Sequence, residues 1–268
     1  MAGLACSVLL AGCATIGQDL NALGRSLVPP TPREAAQKML NPHDPDDRRE
    51  GTVLLSNSTF GGVEVYVRAY RDGVTYENDP LAKAAFVRAL ARHGTVDDAP
   101  LIASQLTHEH YQVRWEAAKG LQRLHNPAVV GDLLRVLGDD VEDADIRLEV
   151  AVALGQYAED RVFQGLISAL DARELAVNLA AEQSLRTLTG QSLGPDPRMW
   201  LAWYDAAEEP FAGEQDYLYP TYSRRQSWLE KLAFWSSPVV EYPAPPAGLR
   251  PSTERRTYEE EQGEESGG

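Results

Sequence analysis

The segment that decides the fold of this chain is Ile146-Arg147-Leu148-Glu149-Val150-Ala151-Val152-Ala153-Leu154. Its pattern of apolar and small residues recurs three more times, and successive copies start 31, 33 and 31 residues apart, at Ala82–Leu90, Val113–Leu121 and Val177–Leu185. A fixed period of roughly 20 to 50 residues is typical of proteins built by stacking one small unit on the next. The sequence therefore predicts a solenoid, in which each unit contacts only its neighbours.

Each unit contains two helices. From the quoted segment onward, one face of a helix with a period of 3.6 residues is formed by Ile146, Val150, Ala153, Leu154 and Tyr157. A second helical pattern precedes it and repeats 33 residues later, with Val129, Val130, Leu133, Leu134 and Leu137 matching Val162, Phe163, Leu166, Ile167 and Leu170. Turn residues such as those of Gly138-Asp139-Asp140 separate the halves. Each unit is therefore helix A, a turn, helix B and a turn.

The start of helix B carries a more specific pattern. An apolar residue is followed by arginine and an alanine-rich stretch, as in Val113-Arg114 with Ala117-Ala118, or Ile146-Arg147 with Ala153-Leu154-Gly155. This resembles the HEAT-repeat family in its short bacterial form, over roughly residues 31 to 190. The resemblance implies an all-α fold, a right-handed α-solenoid of about five HEAT-like helix pairs, with an irregular and partly disordered C-terminal extension.

At the arginine position the four copies carry Lys83, Arg114, Arg147 and Asn178. We interpret this ladder as structural, because such side chains can tie one unit to the next through carboxylates and helix ends. Acidic turn residues are the expected partners: Asp139, Asp140 and Asp171. A further unit is expected to come first, with helices over Pro32–Leu40 and Asp47–Leu55 and with Arg48 or Arg49 at the ladder position.

The N-terminus has the features of an export signal. Residues 2–12 carry no charge and are too few to span a bilayer, which takes about 20 residues in a helix, but they suit the apolar region of a signal peptide. The motif Leu10-Ala11-Gly12-Cys13 resembles a bacterial lipobox, which implies cleavage before Cys13 and acylation of its thiol. The chain departs from that pattern in having no Lys or Arg before the apolar run.

These patterns divide the chain into five parts. We expect a signal peptide over residues 1–12, a tether over 13–31, the solenoid over 32–190, a capping helix and extended aromatic segment over 191–236, and a Pro-rich, acidic, disordered tail over 237–268. Within the fourth part, Trp228, Leu229, Leu232 and Trp235 share one side of a short predicted helix. This stripe is expected to cover the end of the solenoid; the alternative is that it lies on a membrane.

Composition excludes several classes of function. The formal net charge is −15, which argues against a nucleic-acid-binding protein, because such proteins need a basic surface. The two cysteines, Cys6 and Cys13, lie in the first thirteen residues, so the body holds no disulfide and no thiolate metal site.

The sequence gives little evidence for catalytic groups. The sequence has no glycine-rich phosphate loop and no Gly-x-Ser-x-Gly elbow. His108, Glu109 and His110, with His125 nearby, could begin a metal site, but they fall in a turn where polar residues are expected. We therefore predict no enzyme activity, no metal, no cofactor and no small-molecule substrate.

A protein-binding scaffold is the function that the pattern favours. In HEAT proteins the second helices line the concave side, which implies a partner surface with these solvent-facing positions: Arg88, Lys119, Arg123, Gln156 and Arg186. We predict a lipid-anchored scaffold facing the periplasm that binds an unidentified envelope protein. Two alternatives stay open: a chromophore-attachment factor similar to bilin lyases, which contain such repeats, and a structural protein that binds cell-wall polysaccharide through its aromatic C-terminal segment.

Overall fold

The structure is a computed structural model that describes residues 31–220, 222–223 and 240–250. Over these residues the chain forms eleven α-helices and one two-stranded antiparallel pairing. The helices are α1 (Pro32–Met39), α2 (Pro45–Ser56), α3 (Glu64–Tyr76), α4 (Pro80–His93), α5 (Ala99–Ala103), α6 (Tyr111–Gly120), α7 (Val130–Leu137), α8 (Ala144–Leu154), α9 (Asp160–Ala169), α10 (Leu175–Thr189) and α11 (Pro197–Ala206). The strands are β1 (Tyr222–Ser223) and β2 (Val240–Glu241).

The first ten helices form five consecutive pairs, which confirms the predicted solenoid of five helix A and helix B units. The odd-numbered helices α1 to α9 are the A helices, and the even-numbered helices α2 to α10 are the B helices. In unit 3 the A half is a short α-helix between two 3-10 turns, Val96–Asp98 and Ser104–Thr107. In unit 4 a 3-10 turn, Pro127–Val129, precedes α7.

Asp-Pro pairs begin several of these helices. Asp44, Asp79 and Asp196 each accept a hydrogen bond from backbone amides of the first helical turn, and a proline follows each of them at the first helical position. Proline suits that position because its missing N–H would have no partner inside the helix. At the start of the array, Thr31 and Glu34 form a reciprocal capping box that begins α1.

The B helices stack in sequence order as one continuous row, with α2 against α4, α4 against α6, α6 against α8, and α8 against α10. Small residues make this close approach possible. A Cβ added at Gly120 would lie 2.9 Å from the Cβ of Ala91, and one added at Gly155 would lie 2.9 Å from the Oγ of Ser184. That Oγ donates to the backbone oxygen of Ala151 at 2.8 Å, which ties α10 to α8.

An aromatic cluster closes the end of the array after unit 5. Trp200 of α11 is fully buried, and its indole N–H donates to the backbone oxygen of Gly194 at 2.7 Å. Phe163 of α9 stacks on Tyr204 with ring centroids 4.3 Å apart, and it also contacts Trp203 and Phe211. Helix α11 thus covers apolar surface that a sixth unit would otherwise bury.

Residues 240–250, which fall within the tail expected to be disordered over 237–268, follow a defined path. Residues 240–250 lie against the repeats, and β2 pairs with β1 at Tyr222–Glu241 and Ser223–Val240. We call residues 213–220 and 240–250 the C-terminal strap. The amide of Gln215 donates to the oxygen of Thr187 at 2.8 Å, and the amide of Ala247 donates to the oxygen of Arg123, also at 2.8 Å. The strap therefore crosses the C-terminal ends of the B helices from unit 5 back toward unit 2.

No helix among the described residues is both long and apolar enough to cross a bilayer. The signal sequence, Cys13 and the tether up to residue 30 lie outside the described residues, and so do the predicted helix at Ser227–Trp235 and the acidic residues after 250.

Candidate partner-binding surface

The ladder side chains are placed at the N-terminal ends of the B helices, where they reach the end of the A helix in the same unit. Arg147, 4% exposed, donates from Nε to the backbone oxygen of Leu137 at 3.1 Å. Lys83 donates to the oxygen of Val74 at 3.1 Å. The Asn178 amide donates to three carbonyls, those of Ala169, Leu170 and Ala172. Each side chain satisfies carbonyl groups that a helix end leaves without an intrahelical partner.

The ladder arginines also reach forward to the next unit. Arg114 bonds Glu142 at 2.9 Å, and Arg147 lies 3.3 Å from Glu174. Glu142 lies two residues before the B helix of its unit, and Glu174 lies immediately before the B helix of its unit. The corresponding residue of unit 1 is Arg48, rather than Arg49, and it bonds Glu77 at 2.6 Å. Every pair joins one unit to the following one across 27 to 29 residues.

The acidic partners are mostly glutamates, whereas the turn aspartates were the expected ones. Asp140 does contact Arg147 at 3.1 Å. Asp139 instead accepts from the amide of Val141 within its own turn. Burial alone would raise the pKa of Glu77, but hydrogen bonds from Arg48 and from the backbone amide of Asp79 outweigh it and lower that pKa.

Two of the five residues expected on a solvent-facing partner surface are engaged inside the molecule. Gln156 is 1% exposed and donates to the backbone oxygens of Leu121 and Ala153, so the expectation that it faces solvent is corrected. Arg123 bonds the Glu241 carboxylate, and its guanidinium lies 5.1 Å from the ring centroid of Tyr219. The strap residues that contact Arg123 lie more than 90 residues further along the chain, so the spacing of the repeats could not predict this contact.

The other three expected residues each have a partner on the same surface. The guanidinium of Arg88 lies 3.8 Å from Glu116, and that of Arg186 bonds Glu182 at 2.7 Å. The ammonium of Lys119 lies 4.3 Å from the ring centroid of Trp115. Burial lowers the pKa of Lys119 despite the raising effect of nearby Glu149 and Glu116. The B-helix face therefore has mixed charge.

A groove opens on this face between the B helices of units 1, 2 and 3. Its volume is about 760 Å³. We call it the B-helix groove, and it is lined by Asp46, Arg49, Glu50, Val53 and Leu54 of α2, by Leu81, Ala84, Ala85 and Arg88 of α4, and by Gln112 and Glu116 of α6. Leu81 is 43% exposed, so the groove offers apolar contact beside its charged groups.

Glu116 is a buried charged residue of this groove that the repeat pattern did not predict. It is 8% exposed, and burial raises its pKa against the lowering effect of Arg88, Lys119 and Arg123. Its register position holds Ala85 in unit 2, Glu149 in unit 4 and Ala180 in unit 5. One sequence signal could have indicated that Glu116 is buried: its carboxylate stands next to a small residue of the apolar face of helix B.

The polar cluster of unit 3 has a structural role. The Nδ1 atom of His108 accepts from the amide of His110, whose own Nδ1 accepts from the amide of Gln112 and so caps α6. Within the part of the chain that the structure describes, no group of three or more His, Cys, Asp or Glu side chains could hold a metal ion.

The fold and this surface define a protein of the helical-repeat class. The family model of HEAT repeats matches residues 99–186, which cover units 3 to 5 apart from their edges. These residues are therefore similar to HEAT repeats, as the pattern at the start of helix B predicted.

Two solved structures are similar in part. One is human deoxyhypusine hydroxylase in complex with glycerol, with 23% identity, a TM-score of 0.43, and coverage of 61% of this chain and 64% of that chain. The other is the YibA protein of Escherichia coli, with 14% identity, a TM-score of 0.32, and coverage of 65% of this chain and 80% of that chain. The chain thus spans less than two thirds of the human enzyme. No curated protein matches it.

Proposed function

We propose that this protein is a lipid-anchored scaffold of the cell envelope, facing the periplasm, that binds another protein through its B-helix face and catalyses no reaction. The observation that supports partner binding is the B-helix groove of about 760 Å³, which combines exposed apolar surface with charged side chains at its rim. Pockets of this kind at the junction of packed elements are where proteins commonly bind ligands or partner segments.

The groove also has fixed walls. Its three B helices pack against one another through small residues, and Arg48 and Glu77 join the first two units at 2.6 Å. A rigid surface loses little conformational freedom when a partner binds, so more of the interaction energy is available as affinity.

The experiment for the groove is affinity purification from the native cell after crosslinking, with Leu81→Asp compared with the unaltered protein. Leu81 lies in the first turn of α4 and in the groove, and a carboxylate there would repel an apolar partner segment. We expect the co-purifying partner to be lost. Leu175→Asp is the matched control, because Leu175 is 70% exposed in the first turn of α10, outside the groove lining.

Both variants should give the circular dichroism spectrum of the unaltered protein, because neither exposed leucine contributes much to the core. A partner retained by Leu81→Asp would contradict the groove. If Leu175→Asp loses the partner and Leu81→Asp keeps it, the result would indicate that the binding surface lies at unit 5.

The anchor is proposed on the motif Leu10-Ala11-Gly12-Cys13. Acyl chains on Cys13 would hold the protein on a membrane, because two or more chains are sufficient for stable anchoring where one is marginal. We expect Cys13→Ser to move the protein from the membrane fraction to the soluble fraction. Cys6→Ser is the control and should leave the distribution unchanged. If Cys13→Ser still sediments with membranes, the lipid anchor is contradicted.

A further inference from the structure

The second part of the C-terminal strap, residues 240–250, lies on the repeats as a bound peptide would. It forms a parallel bridge to unit 3 between Leu124 and Ala247. The amide of Ala247 donates to the oxygen of Arg123 at 2.8 Å, and the amide of His125 donates to the oxygen of Ala247 at 2.9 Å. Main-chain bonds of this kind are a common way for a protein to bind an extended segment of another chain, with side-chain contacts giving specificity.

Two arginines near the C-terminal ends of B helices hold one carboxylate of this segment. The Glu241 side chain, 14% exposed, bonds Arg92 of unit 2 at 3.1 Å and also bonds Arg123 of unit 3. The guanidinium of Arg123 lies over the ring of Tyr219 as well. Charge-assisted hydrogen bonds to a carboxylate are stronger than neutral ones. An acidic side chain is therefore the main side-chain feature that this surface recognises.

Two further positions of the segment are constrained. Pro246 is the one buried residue among residues 241–250. Gly248 has a φ of +88°, which favours glycine, and a Cβ added to it would lie 2.3 Å from Cγ1 of Val96. The resident segment thus defines a pattern, in which an acidic residue is followed by proline five residues later and by glycine seven residues later.

The segment is held loosely in other respects. Tyr242 is 76% exposed, and most of the segment after it is half-buried or exposed. A cavity of about 440 Å³ is lined by Tyr242 and Pro245 of the segment and by Arg92 and Leu124 of the repeats. Protein interiors are close-packed, so a cavity of this size shows that the segment makes few close contacts here. Segments with few buried apolar contacts open at a low cost in free energy.

We propose that residues 240–250 are the internal occupant of a peptide-binding surface along the C-terminal ends of the B helices, and that an extended segment of another protein displaces them. The partner segment carries an acidic residue for Arg92 and Arg123, followed by proline and glycine at the spacing of the resident segment. Among the described residues, the linings of this surface and of the B-helix groove have none in common, so it is a second interaction surface. The strap is then an autoinhibitory contact, because a partner must compete with it.

The test measures the binding of a fluorescent peptide with the sequence of residues 240–250 to the full chain, by fluorescence anisotropy. We expect weak, saturable binding to the unaltered protein, because its own strap occupies the surface. In the protein variant Glu241→Gln the resident segment loses its charge-assisted bonds, so the peptide should bind about tenfold more tightly. The same substitution in the peptide should weaken its binding to that variant about tenfold, for the same reason. One change thus acts with opposite sign in the protein and in the peptide.

Glu159→Gln is the matched control, because Glu159 pairs locally with Arg161 in unit 5 and lies outside the lining of this surface. It should bind the peptide as the unaltered protein does. The circular dichroism spectrum of Glu241→Gln should match that of the unaltered protein, because Glu241 lies outside the repeat helices. Tighter binding by Glu241→Gln would then come from release of the strap and not from unfolding.

Three results would each overturn the proposal: equal affinity of the unaltered protein and Glu241→Gln, unchanged affinity when the peptide carries the substitution, or no saturable binding to either protein. Light scattering without the peptide tests whether the occupant is a second copy of this chain. If the unaltered protein forms dimers that Glu241→Gln weakens, the occupant is the strap of that second copy, and the assignment to another protein is overturned. A protein that stays monomeric as its concentration rises supports the proposal.

Discussion

The two edges of the B-helix row are held together in different ways. At the N-terminal ends of the B helices, Arg48, Arg114 and Arg147 each bond a residue of their own unit and an acid of the next. At the C-terminal ends, Arg92 of unit 2 and Arg123 of unit 3 both bond the carboxylate of Glu241, which the strap supplies.

The difference lies in the separation of the partners along the chain. The ladder pairs are 27 to 29 residues apart, which is one unit, whereas Arg123 and Glu241 are 118 residues apart. The first kind of link forms as two neighbouring units stack. The second requires the whole array, because the chain must pass the cap and return along the edge. The ladder thus stabilises three of the interfaces, those of unit 1 with unit 2, unit 3 with unit 4 and unit 4 with unit 5. The strap joins units that are already in place.

The largest expected effect is at the ladder. Arg147→Ala removes a 4% exposed side chain that bonds the Leu137 carbonyl and contacts Asp140 and Glu174. We expect a loss of about 2 to 3 kcal/mol in the free energy of unfolding, because a hydrogen-bonded charged group is lost at a buried interface. Urea unfolding followed by circular dichroism measures it.

Arg161→Ala is the control for this variant, because Arg161 has a 54% exposed side chain and pairs locally with Glu159. It should change stability by less than about 1 kcal/mol. Equal effects from the two variants would show that the ladder is no more important than a surface ion pair.

A smaller effect is expected at the strap. Glu241→Gln removes the charge that Arg92 and Arg123 share, and the two arginine side chains are 28% and 13% exposed, so they keep partial contact with water. We expect a loss of about 1 to 2 kcal/mol and faster hydrogen exchange at the amides of His125 and Ala247, which bond across the strap. If exchange at these two amides is unchanged, Glu241 does not hold the strap in place.

The smallest expected effect is on the pH dependence of stability, and it comes from the ladder pair of Arg48 and Glu77. The folded pKa of Glu77 is lowered, so its contribution to stability is present above the unfolded pKa of about 4.3 and is lost as pH falls through the folded value. Arg48→Met removes the hydrogen bonds that lower that pKa. Its destabilisation should therefore be larger at pH 7 than at pH 3, by urea midpoints at each pH. A constant difference across this range would contradict the linkage.

Several features of the candidate surface could be predicted only in part. The position of Arg114 and Arg147 followed from the repeat, because the same backbone geometry recurs in each unit. The orientation of Gln156 did not follow, because it lies just past the end of α8, where the chain turns inward. Glu116 shares its register position with Ala85 and Ala180, which are buried, but a carboxylate at that position is not expected to be buried from the sequence alone.

The sequence by itself determined the class of fold, the number of units and the ladder, because these depend on contacts within one period of about 32 residues. Only the tertiary structure decided that Glu241 returns to Arg92 and Arg123. It also decided that Glu116 lies at 8% exposure in a groove, with its nearest arginine at a distance. The physical reason is that repeat spacing encodes neighbours along the stack, whereas the path of a non-repeating segment and the depth of a groove depend on the assembled array.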